Sequence, residues 1–257
     1  MSDDLFLPGL PADRIRAAYL AAPGNEIESG KFASPESSAA LVANSFGLFL
    51  NQPGILPPLP GTAQLGWPAR SVGLEVTVRF PWSGGRHPCL DVLILTDTSL
   101  IGVESKRYEP FRPKSKSEMS DAYWRPVWGD SMRGYERIRD RMRDGNVEFS
   151  RLDAAQLVKH AFGLRTAVHG DTALIGKRPV LFYLYAEPQS WPGSKGAISE
   201  EDRFQHRVEI NEFSTTVAAD EVAFHSCSYS ELLAAWLAPP SETIRSHACA
   251  VAERFSL

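Results

Sequence analysis

The chain has 257 residues, 43% of them hydrophobic and 23% charged, with a formal net charge of −4. This is an ordinary globular balance, long enough to bury a sizeable core, and the acidic total excludes a protein coated in nucleic acid over its whole surface. Three cysteines with no Cys-x-x-Cys spacing exclude a disulfide framework and suit a reducing compartment.

The opening Met-Ser-Asp-Asp carries acids where a secretory leader would carry bases, so the expected location is the cytoplasm. No apolar run approaches the roughly 20 residues needed to span a bilayer, so no membrane partner is expected. Ser34-Pro35 reads as an N-cap followed by proline at the first helical position, which puts Glu36 at the second. A proline- and glycine-rich connector follows from Gln52 to Pro68. Leu74 to Phe80 alternates as a strand does, and Trp82-Ser-Gly-Gly-Arg86 is a turn into a second strand.

That second strand and the next one carry the chemistry. Two apolar runs, Leu90 to Leu95 and Leu100 to Val103, flank Thr96-Asp97-Thr98-Ser99, the pattern of a buried hairpin. Centring the turn between Asp97 and Thr98 sets Asp91 directly opposite Glu104. Side chains alternate along a strand, so Lys106 shares the face of Glu104. Two carboxylates and an ammonium then converge among apolar neighbours, which is costly unless they pair or hold a metal.

Lys106 to Trp128 is a long segment rich in basic and aromatic residues, and loops of that length are often functional. Helices are expected over about 131–144 and 153–162, the second closed by Gly163, and a buried strand over 178–187. The remainder is expected to be a helix near 200–215, a short strand near 222–226 and helices near 230–237 and 241–255. From Glu104 to Asp144 there are 11 Lys/Arg against 8 Asp/Glu, a local excess of positive charge directly after the carboxylates. Such a segment can meet a polyanion or form a solvated helix face.

Asp91 followed by Glu104-Ser105-Lys106 resembles the D…(D/E)xK signature of the PD-(D/E)xK phosphodiesterase superfamily, the restriction-endonuclease-like nucleases, in an uncharacterised bacterial branch. Leu90 stands where that signature often has proline. The order of elements also resembles that superfamily, and the likeness covers about residues 34–187. It implies an α/β fold with an α-β-β-β-α-β core, a mixed central sheet flanked by helices, and a helical C-terminal elaboration over about 188–257, all within one domain. It implies a Mg²⁺-dependent nuclease, with Mn²⁺ as a substitute, acting on nucleic acid and by expectation on DNA. Asp91, Glu104 and the Ser105 carbonyl would hold the metal, and Lys106 would orient the attacking water, meet phosphate charge or serve as a base. Nucleases of this type often dimerise to cut both strands, so a homodimer is a further expectation.

Less central candidates come with alternatives. Glu36 either reaches the metal, as a first-helix glutamate does in many members, or complements the helix dipole. Glu75 on the first strand is a competing acid. Gln156, four positions before His160 on one helix face, either approaches the site or forms a polar helix edge. Arg107, Arg112, Lys114 and Lys116 are candidate phosphate contacts, whereas Trp124 and Trp128 suit packing. The alternative function is a catalytically inactive nucleic-acid-binding or assembly protein on the same fold. The scattered His-x-Cys pairs (His87/Cys89, His225/Cys227, His247/Cys249) lack zinc-site spacing. Gly170 to Lys177 is one residue too long for a P-loop, and Arg178 stands where the Mg²⁺-binding hydroxyl belongs.

Overall fold

A computed structural model describes residues 5–113, 119–145, 149–193, 195–238 and 241–257. A five-stranded sheet runs in the order β1 (Ser71–Thr77), β2 (Cys89–Leu95), β3 (Ser99–Lys106), β4 (Arg178–Tyr185), β5 (Ala223–Ser228). The first three strands form an antiparallel meander, and β3, β4 and β5 are parallel. Parallel neighbours need a crossover. Helices α3 (Arg133–Arg143) and α4 (Ala154–Gly170) supply it between β3 and β4, and α5 (Glu200–Val217) supplies it between β4 and β5.

Both faces of the sheet are covered. On one, Val72, Leu74, Val92, Ile94, Ile101, Val103, Val180 and Phe182 pack with α1 (Ala12–Ala21), α2 (Ser38–Phe46), α6 (Tyr229–Leu237) and α7 (Glu242–Phe255). On the other, Leu90, Leu100, Leu181 and Tyr183 pack with α3, α4 and α5. This is the mixed α/β sheet flanked by helices that the sequence implied. The segment after residue 187 supplies the fifth strand as well as three helices.

Several element boundaries differ from the sequence expectation. The first helix, α1, was not foreseen: no side chain caps its start at Pro11. Helix α2 starts at Ser38 with Ser37 as its N-cap, whose side chain accepts from Ala40 N at 3.0 Å. Ser34 instead accepts from Glu36 N at 3.2 Å. Glu36 therefore precedes the helix rather than occupying its first turn. Helix α4 passes through Gly163 and ends at Gly170. A Cβ at Gly163 would lie 2.6 Å from Val78 Cγ2 and 2.8 Å from Pro88 Cγ, so this glycine marks close helix–hairpin packing and not a helix end.

Candidate active site

The β2–β3 ladder pairs Leu95 with Leu100 and runs to Val92 opposite Val103, where it ends one residue short of Asp91 and Glu104. There the strand geometry changes. Leu90 lies where a Cβ on Gly102 would meet it at 2.7 Å, on the α4 side of the sheet, whereas Val92 and Ile94 lie on the α2 side. Residues two apart on a regular strand share a face, so the alternation slips at Asp91. Strand β1 slips at the matching place. Leu74 lies on the α2 side, Val78 and Phe80 on the α4 side, and Glu75 between them has φ +52°. Leu74↔Val92 and Val76↔Leu90 bracket Glu75 and Asp91, so two neighbouring strands kink together where each carries a carboxylate. A left-handed glutamate costs about 1–2 kcal/mol, and such strain gathers at functional sites.

The kink brings Asp91 Oδ2 within 2.6 Å of the backbone N–H of Ser105, which donates to it. The N–H and C=O of one strand residue point to the same side, so the Ser105 carbonyl also faces β2 and Asp91. The Ser105 hydroxyl is fixed separately, 2.7 Å from the buried Tyr229 hydroxyl. Lys106 forms an ion pair with Glu104 Oε1. Glu104 Oε2 lies 2.8 Å from His160 Nε2 on α4, without the alignment of a hydrogen bond. Glu104 and His160 are 1% and 2% exposed, so neither group is solvated.

Electrostatics separate the three acids. Burial raises the pKa of Asp91 well above the usual aspartate range, and Glu104 and Glu75 push it the same way. Burial raises Glu75 to about 7, with Glu104 and Glu26 adding to the shift. Burial acts on Glu104 too, but Lys106 and His160 outweigh it and hold that carboxyl below its ordinary value. Burial would lower Lys106, yet Glu104, Glu109 and Asp91 dominate and keep it an ammonium. The arrangement is therefore one firmly ionised carboxylate, one firmly charged lysine and two acids that resist ionisation until positive charge arrives.

The remaining sequence candidates divide. Glu36 is drawn away from the site: Lys195 and Arg112 each bond one of its oxygens at 2.6 Å and lower its pKa. Gln156 sits in the first turn of α4, one turn before His160, and its backbone N–H donates to the N-cap Asp153 at 3.0 Å. Arg107 is not a surface cation. It is 6% exposed and donates to Pro35 O at 2.6 Å and Phe255 O at 2.7 Å, so its guanidinium clamps the segment before α2 to the end of α7 beside the motif. Arg112 reaches solvent but is paired with Glu36. Lys114 and Lys116 lie outside the described residues. Trp128 is buried and stacks on Phe162 at 4.0 Å, and Trp124 Nε1 donates to Asp140 at 2.7 Å. Sequence reasoning had no role for Tyr229 and linked His160 only to Gln156. The four-residue spacing of Gln156 and His160 was the one available sign that this helix face meets the sheet.

Among the described residues no three His, Cys, Asp or Glu side chains gather tightly enough to hold a metal ion by themselves. Mg²⁺ does not require that, since it is usually bound by one or two carboxylates with waters and phosphate oxygens. Asp91, Glu104 and the Ser105 carbonyl are oxygen donors of this kind, and Glu104 Oε2 is buried with no aligned donor.

The sheet order, its two helical layers and the acids at the β2–β3 kink define an α/β protein of restriction-endonuclease-like fold. Within that class the chain belongs to the family described as Restriction Endonuclease associating with ARP, whose model matches residues 16–247. No curated protein and no solved structure matches it.

Proposed function

We propose that the chain is a metal-dependent nuclease of the PD-(D/E)xK type, hydrolysing phosphodiester bonds of DNA. The observation that carries this reading is the grouping of Asp91, Glu104 and Lys106 where the β2–β3 ladder opens. A bound Mg²⁺ would activate water and neutralise charge on the phosphate. Asp91, Glu104 and the Ser105 carbonyl are the groups proposed to hold it. The Asp91–Ser105 bond and the Ser105–Tyr229 contact keep that carbonyl and Asp91 together. Lys106, held charged by Glu104, is suited to meet a phosphate oxygen and orient water, and less suited to accept a proton.

The proposed location is the cytoplasm. Among the described residues no helix is long and apolar enough to cross a membrane. A homodimer would set two such sites against the two strands of a duplex.

The test is cleavage of plasmid DNA by the purified protein with Mg²⁺ or Mn²⁺, and its loss with EDTA. Asp91→Ala and Lys106→Ala should each abolish it. Full metal-dependent cleavage by either variant would overturn the site. Salt-sensitive DNA binding with no cleavage under any metal would replace this reading with that of an inactive binding protein.

A further inference from the structure

A strip of alternating cations and rings leads away from the carboxylates on the α4 side of the sheet. Lys159 adjoins His160, whose ring touches Glu104, and its ammonium lies 5.7 Å from the centre of the Tyr123 ring. Tyr123 packs edge-on against Trp82 at 6.3 Å, and the Arg125 guanidinium lies 5.1 Å over Trp82. Trp82 stands on the arm that joins β1 to β2, and Arg86 is exposed on that arm. Between Glu75 and Asp91 the chain has no Asp or Glu. Among the described residues Arg86, Arg125 and Lys159 form no ion pair, although most of the other arginines do.

We propose that this strip is the docking track for the sugar–phosphate backbone of duplex DNA leading into the Asp91–Glu104 site. The proposal rests on the nuclease reading and goes beyond it by naming the surface. Charge complementarity selects the occupant: three cations without an ion pair beside a site for a phosphodiester suit a polyanion. The rings select backbone over bases. Phe80 stacks on Trp82 at 4.8 Å and Arg125 covers the same ring, while Tyr123 is buried. No free aromatic face is left for an unpaired base, so the rings hold the cations outward and do not stack on substrate. The track differs from the Arg107–Lys116 segment that the sequence suggested, where Arg107 is spent on backbone carbonyls and Arg112 on Glu36.

The test measures binding of a fluorescently labelled DNA duplex by anisotropy across a salt series, with Ca²⁺ present, in an Asp91→Asn background that does not cut. Arg125→Gln combined with Lys159→Gln should weaken binding and flatten the plot of log affinity against log salt by about 2, roughly 1 for each phosphate that is no longer neutralised. Arg86→Gln alone, at an exposed position that cannot disturb packing, should flatten it by about 1. Arg245→Gln on α7, which removes the same charge from the other side of the sheet, should leave the slope unchanged. Affinity and slope equal to those of the parent in both strip variants would overturn the track, while plasmid cleavage by the wild-type protein would leave the nuclease reading standing. A wild-type protein that neither binds nor cuts DNA would overturn both.

Discussion

His160 Nε2 lies 2.8 Å from Glu104 Oε2, and both side chains are sealed from water. The contact joins α4 to the acid at the kinked ladder, beside the Glu104 oxygen that Lys106 does not pair with. Groups that orient a metal-binding carboxylate typically contribute 10- to 100-fold in metal affinity. His160→Ala should therefore weaken Mn²⁺ binding, measured by calorimetry, by about that factor, and His160→Gln should restore part of it. Unchanged Mn²⁺ affinity in His160→Ala would make the contact one of packing alone.

Asp91 and Lys106 should separate activity from stability. Asparagine at position 91 can still accept from Ser105 N–H while relieving repulsion from Glu104 and Glu75. Asp91→Asn is expected to melt no lower than the wild type and to lose cleavage. Lys106→Ala strands Glu104 without its ammonium, and breaking a buried pair costs about 3–5 kcal/mol. Chemical denaturation of the two variants side by side checks this, and equal midpoints would contradict it.

The question of a third acid divides Glu75 from Glu36. Glu75 stands at the β1 kink beside Asp91 and feels Glu104 and Lys106, whereas Glu36 is tied to Lys195 and Arg112. Glu36→Gln should leave the rate of plasmid cleavage unchanged, and Glu75→Gln should lower it. Glu75→Asn should also raise stability by about 1 kcal/mol, because asparagine tolerates the left-handed backbone and carries no charge to bury. A loss of cleavage in Glu36→Gln with none in Glu75→Gln would reverse the assignment.

Glu209 on α5 positions the start of α4 and should give stability a pH dependence. Its carboxylate is 2% exposed and accepts from Ser150 N at 2.9 Å, Ser150 Oγ at 2.7 Å, Arg151 N at 2.8 Å and Leu152 N at 2.7 Å. Burial alone would raise its pKa, but donors from Leu152, Gln205, Ser150 and Arg151 outweigh it and lower the value. A folded-state pKa below the unfolded value of about 4.3 gives stability that is present above that pH and lost as pH falls through the folded pKa. Glu209→Gln should thus cost roughly 2–3 kcal/mol at pH 7, with the gap from wild type closing below about pH 4. Urea denaturation across pH measures it, and a gap that stays constant with pH would remove the charged-acceptor account.

The hairpin was legible because two local signals agreed: apolar runs on both sides of a four-residue polar turn, and a turn centre that fixed the register through Val92↔Val103. The order of strands and the sites of α3, α5, α6 and α7 followed from similar local patterns. What could not be read depends on contacts far apart in sequence. Ser34 and Ser37 are both competent caps, and only packing decides for Ser37. His160 meets Glu104 across 56 positions, and Arg107 meets Phe255 across 148. The slip at Glu75 and Asp91 is invisible because period-two alternation is the assumption by which strands are read at all.

Gly163 shows how one residue type carries two meanings that experiment can separate. Glycine inside a helix costs about 1 kcal/mol relative to alanine, so an exposed one is a site for stabilisation. Gly170, at the end of α4, has nothing within 4 Å of a would-be Cβ, and Gly170→Ala should raise stability by about 0.5–1 kcal/mol. At Gly163 the added methyl would meet Val78 at 2.6 Å and Pro88 at 2.8 Å, the residues that follow β1 and precede β2 on the way from Glu75 to Asp91. Overpacking of this kind costs about 1–3 kcal/mol. Gly163→Ala should therefore destabilise, and by pushing the hairpin off α4 it should also lower Mn²⁺ affinity, while Gly170→Ala leaves that affinity untouched. Thermal melts and Mn²⁺ titrations of the pair decide it: a stabilised Gly163→Ala would mean that the helix–hairpin approach is looser than these distances and that the kink is held by the strands alone.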